Sequence, residues 1–111
     1  MKFTIAPLQL ESLIKSACSA RTKKKDNLTI TALQNRLSVE CNGVAAASDA
    51  NVSLSGAVTV HAKSFRKVLD TFKGTPLLEF EGSAEGLRIQ NFRMGIVSYN
   101  SNPIKGKEQE S

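Results

Sequence analysis

Nine basic side chains, Lys15, Arg21, Lys23, Lys24, Lys25, Lys63, Arg66, Lys67 and Lys73, fall on or beside two amphipathic stretches of the chain. Ammonium and guanidinium groups on a solvated surface neutralise phosphates and release their counterions, a contact that carries no base information. The chemistry open to this set is binding to a polyanion. Groups for covalent chemistry are scarce. Cys18, Cys41 and the single His61 lack the paired spacing of zinc sites, so two partly buried free thiols are expected. His61 has no sequence neighbour that would make it a base, and no glycine-rich phosphate loop follows a strand. Asp49, Asp70, Glu79 and Glu81 form no evident carboxylate pair. Neither catalysis, a metal nor a cofactor is expected.

Stacking on bases is not expected either. The chain has no tryptophan and one tyrosine, Tyr99, while Phe3, Phe65, Phe72, Phe80 and Phe92 all occupy apolar-stripe positions and read as core. At 111 residues the chain suits one domain with a real core. Its formal charge of +5 favours acidic partners such as nucleic acid. With no apolar run of membrane-spanning length and a polar, charged start, the expectation is a cytoplasmic protein without a membrane partner.

Two strand-helix units must carry the cations. In Ala57 to Phe72, AVTVHAKSFRKVLDTF, Val58 and Val60 alternate as on a strand. Phe65, Val68, Leu69 and Phe72 then recur at helical spacing, with Lys63, Arg66 and Lys67 on the opposite, solvent face and Asp70 beside them. Near the start, Phe3 and Ile5 alternate, Pro7 sits where a first helical turn tolerates it, and Leu10, Leu13, Ile14 and Ala17 form the stripe of a helix from about Pro7 to Ala20. Ser12, Lys15 and Ser19 face away from that stripe, and Arg21 to Lys25 follow as a dense positive run.

The remainder has the period of strands. Leu28, Ile30 and Ala32 alternate, then Leu37, Val39 and Cys41 after a turn at Gln34-Asn35. Asn42-Gly43 is a strong hairpin signal. A strand from Val44 to Leu54 follows, with a bulge expected at Ser48 to Ala50. Gly74 and Pro76 end the second helix. Leu78 with Phe80, Leu87 with Ile89, and Phe92 with Met94 and Ile96 mark three more strands, and residues 104 to 111 form a polar tail.

The two halves repeat one plan. Phe3 and Ile5 match Val58 and Val60 fifty-five residues later, and Leu10, Leu13 and Ile14 match Phe65, Val68 and Leu69 at the same offset. Beyond the helices the offset falls to fifty, so the first half carries five extra residues in or beside its basic run. Each half, about 1 to 55 and 56 to 100, reads as strand, helix and three antiparallel strands. The expected fold is α+β, with two helices on antiparallel sheets and pseudo-two-fold symmetry across one domain, 1 to 103.

In order and spacing, MKFT, GAVTVHAKSFRKVLDTFKG, LEFEG, EGLRIQN and FRMGIVSYNSNP resemble the first domain of the bacterial sliding clamp, the beta subunit of DNA polymerase III. The resemblance runs from Met1 to about Pro103. It implies a DNA-clamp-like domain whose helices face duplex DNA in a ring of six such domains and whose edge strands join neighbours. The family's basic pair falls at Lys63 and Ser64, so one cation is kept and one lost, with Arg66 and Lys67 nearby. Its basic residue beyond the first helix falls near Lys24. The family's peptide groove lies in domains that have no counterpart in these residues.

Three functions follow as expectations. The first is a self-associating accessory protein of replication or repair that binds the duplex DNA backbone, with a ring as one assembly. The second is an interaction module that binds or mimics a replicative clamp through edge strands. The third is a structural dimer with neither role.

Overall fold

The computed structural model describes residues 1–18, 26–41, 43–72 and 74–101. The first half contains β1 (Lys2–Ile5), α1 (Pro7–Ala17), β2 (Asn27–Leu33), β3 (Arg36–Cys41), β4 (Val44–Asp49) and β5 (Asn51–Leu54). The second contains β6 (Gly56–His61), α2 (Ala62–Asp70), β7 (Leu78–Ser83), β8 (Gly86–Ile89), β9 (Phe92–Met94) and β10 (Ser98–Asn100). The same order of elements thus occurs twice. Each half has four strands after its helix, one more than the periodicity predicts.

The fourth strand arises where the chain changes sheet. One sheet has the order β5-β1-β7-β8-β9 and the other β10-β6-β2-β3-β4. Each therefore joins two strands of one half to three of the other, and pseudo-two-fold symmetry exchanges the sheets. At Ala50 the expected bulge is a corner at which β4 leaves one sheet and β5 enters the other. Residues 95–97 make the matching corner between β9 and β10. The first corner is held by Gln9 Nε2, which donates to Ser48 Oγ and to the Asp49 carbonyl, both at 2.9 Å. The Ala50 N–H donates to the Asn35 carbonyl at 3.0 Å.

Alternating side chains bury one face of each central strand. Phe3 lies opposite Phe80 in the β1–β7 register, and Ile30 opposite Val58 in the β2–β6 register. The Phe3 and Phe80 rings stack with centroids 4.7 Å apart, and Phe65 of α2 leans on Phe80 at 6.2 Å. Helix α1 buries Leu10, Leu13, Ile14 and Ala17, the stripe the sequence predicts, and Pro7 as well. It ends at Ala17 rather than Ala20, because Cys18 is extended and its N–H donates back to the Ile14 carbonyl at 2.7 Å. Helix α2 buries Ala62, Phe65 and Leu69 and ends at Asp70, with Thr71 Oγ1 donating to the Val68 carbonyl at 2.6 Å.

Two other features depart from the sequence reading. Phe92 is not core: it is 47% exposed, because β9 is an edge strand and nothing in the described chain covers its first residue. Met1 is buried at the seam between the sheets, where its ammonium donates to the Tyr99 hydroxyl at 2.8 Å and to the Gly82 carbonyl at 3.2 Å. Burial lowers the pKa of that ammonium, an effect the Glu81 carboxylate opposes. Gly56 makes room for it, since a Cβ there would stand 2.6 Å from that of Met1. The predicted polar tail, 104 to 111, lies outside the described residues.

Candidate nucleic-acid interface

Helix propensity and burial together decide which cations reach solvent. On α2 the stripe of Ala62, Phe65 and Leu69 turns Lys63 and Lys67 outward, one turn apart, and both are exposed. Neither makes an ion pair among the described residues. Ser64, where the clamp resemblance places a second cation, is exposed beside them. On α1, Lys15 is exposed and pairs with Glu11 at 3.4 Å across one helical turn. Such a pair is screened and worth little to stability, but the carboxylate offsets the charge that Lys15 offers an anion.

Arg66 differs from the sequence expectation. It is half-buried rather than standing on the solvent face with Lys63, and it lines a small cleft between the helices with Glu11, Ile14, Leu69 and Asp70. Arg66 and Asp70 each have a polar partner. The guanidinium is close enough to Cys18 to act on it electrostatically. The physical reason is its position: a residue one after Phe65 flanks the buried stripe, so its long side chain lies along the neighbouring helix.

Of the nine predicted site residues, the structure brings Lys15, Lys63, Arg66 and Lys67 into the helix layer. Arg21, Lys23, Lys24, Lys25 and Lys73 lie outside the described residues. The sequence reading missed Glu11, whose four-residue spacing from Lys15 is the signal that finds it. It also gave no weight to Arg36, Arg88 and Arg93, which lie on the sheets. There Arg88 is engaged by Glu81 at 2.6 Å.

The thiols form a pair at the far end of α1. Cys18 and Cys41 are both buried free thiols, near enough for Cys41 to act on the ionisation of Cys18. Burial first, and then the neighbouring Cys41 thiol, push the Cys18 pKa up to about 12. A thiol so protonated is a poor nucleophile at neutral pH. Among the described residues no group of three or more His, Cys, Asp or Glu side chains is placed to hold a metal. No described helix is long and apolar enough to cross a membrane. The arrangement offers a positively charged helix layer and four sheet edges, β4, β5, β9 and β10.

No family model matches the chain, and no curated protein sequence matches it. Solved structures do. A Helicobacter pylori beta clamp in complex with carprofen superposes with a TM-score of 0.73 at 19% identity, over 86% of this chain and 29% of that one. Caulobacter crescentus pol III beta gives 0.69 at 19% identity, over 88% and 31%. A Helicobacter pylori beta clamp bound to a DNA ligase peptide gives 0.71 at 15% identity, also over 88% and 31%. The chain thus spans about three-tenths of the length of these clamps and has the fold of a sliding-clamp domain.

Proposed function

We propose that the protein is a clamp-like, non-enzymatic accessory factor of replication or repair that binds duplex DNA through its phosphates and self-associates, with a closed ring as the limiting assembly. The observation that carries this reading is the outward placement of Lys63 and Lys67 on α2, with Lys15 exposed on α1, in a fold shared with beta clamps. Flexible cations on one helix layer suit a contact that must hold DNA without fixing its sequence. The chain spans about three-tenths of a clamp, and a ring built from this domain alone takes several copies.

Two duplexes of unrelated sequence, titrated at the same salt concentration, test the DNA contact. Equal affinities for both are expected. No binding at low salt, or a strong preference for one duplex, contradicts the proposal. Native mass measurement of the purified chain tests self-association.

A second reading is favoured by the exposed sheet edges: a module that docks on a replicative clamp and binds DNA little. One of the similar structures, a Helicobacter pylori beta clamp, is bound to a DNA ligase peptide. Capture of a purified clamp, combined with absent DNA binding, would favour this alternative.

A further inference from the structure

Resting on the proposed self-association, we infer that its first contact is a two-fold pairing of β4 with β4 of a second copy, antiparallel, with Ala46 opposite Ala46. The four sheet edges are not equivalent. On β5 the Val52 N–H is already held by Asn35 Oδ1 at 3.2 Å. Strands β9 and β10 have three residues each, and pairing β9 with itself sets Arg93 against Arg93. Strand β4 has six residues, Val44-Ala-Ala-Ala-Ser-Asp49, with none of the lysines or prolines that protect natural edges.

The register follows from the backbone. Two residues connect Cys41 to Val44, so these form the closing hydrogen-bonded pair of the β3–β4 hairpin. Alternation then turns the N–H and C=O of Val44, Ala46 and Ser48 toward β3 and those of Ala45, Ala47 and Asp49 toward the open side. The Asp49 carbonyl is occupied by Gln9, which leaves the Asp49 N–H and both groups of Ala45 and of Ala47. Centring the pair on Ala46 sets Ala45 opposite Ala47 of the second copy, which uses both groups of each of these alanines in four hydrogen bonds.

The side chains agree with this register. It keeps Ala45 and Ala47 on the outer face with Glu40 and Ser38, their partners on β3, so each Glu40 row continues into Ser38 of the other copy. It opposes no like charges. An antiparallel continuation preserves sheet faces, so both α1 helices, which pack on β3 and β4, lie on the same side of a ten-stranded sheet. The two cationic helix layers thereby form one surface.

Ala47→Pro tests the contact, because the N–H it removes points to the open side, where an edge strand tolerates proline. The wild type is expected to be a dimer by native mass and Ala47→Pro a monomer with an unchanged far-ultraviolet circular dichroism spectrum. Ala46→Cys provides a second measurement: with oxidised glutathione it is expected to form a covalent dimer faster than Ala45→Cys, since Ala46 alone meets its own copy. A monomeric wild type, an Ala47→Pro protein that keeps the wild-type mass, or equal cross-linking of the two cysteine variants overturns the inference. Duplex binding measured on the same samples separates the two claims. A β4 dimer that ignores DNA supports this contact and removes the proposed DNA binding, whereas a DNA-binding monomer overturns this contact together with self-association and keeps the DNA binding.

Discussion

Phe3 and Phe80 stack at 4.7 Å with their rings inclined by 7°. One belongs to β1 in the first half-unit and the other to β7 in the second, so the repeat is not two modules side by side. Each half contributes strands to the other's sheet. Truncating Phe80 to alanine empties a site also touched by Phe65. Phe80→Ala is expected to cost about 3–5 kcal/mol, read as a lower urea midpoint, with both halves unfolding in one transition.

The seam around Met1 depends on Gly56. A Cβ at that position meets the Met1 Cβ at 2.6 Å, so one of the two must shift. Gly56→Ala is expected to destabilise by about 1–3 kcal/mol in thermal unfolding. Gly74→Ala, with nothing near its Cβ position, serves as the control.

Alkaline pH reports on the buried thiol pair. The Cys18 pKa is raised to about 12 from an ordinary value of 9.0. Between these values the native state holds a proton that the unfolded chain has released, so this contribution to stability is complete below pH 9 and is lost as pH rises toward 12. Thiolate absorbance of the native protein at pH 10 is expected to show Cys18 still protonated, and unfolding at that pH is expected to release its proton.

The carboxylate of Glu11 faces the proposed DNA layer and engages Lys15. Glu11→Gln removes the anion and frees the ammonium, with little effect on stability expected from a surface pair. Duplex affinity at low salt is expected to rise by about two- to fivefold, an electrostatic gain that disappears at high salt.

Much of this architecture was legible in the sequence, and the illegible parts share a cause. The helix stripes, the strand periods and the repeat all follow from which side chains are buried. Periodicity does not say which strand a strand pairs with, so the exchange of β1 and β6 between half-units was invisible. The corner at Ala50 read as a bulge because the local pattern shows only an interruption at Ser48 to Ala50; the polar clip from Gln9 that fixes it comes from forty residues away. Phe92 read as core because an edge position leaves no mark on the local pattern. Arg66 read as solvent-facing because a helical wheel does not include the neighbouring helix. Asp70 was legible beside the cations, whereas Glu11 was missed although its four-residue spacing from Lys15 lies in the sequence.

The DNA contact of the helix layer is most directly tested by the dependence of duplex affinity on salt. The slope of log affinity against log salt is measured for the wild type, for Lys63→Glu with Lys67→Glu, and for Arg93→Glu on the edge of a sheet. The double variant is expected to flatten the slope by roughly 2 for every duplex sequence, at unchanged fold and mass, while Arg93→Glu leaves it near the wild-type value. A double variant with the wild-type slope, or an equal loss in Arg93→Glu, would contradict the DNA contact.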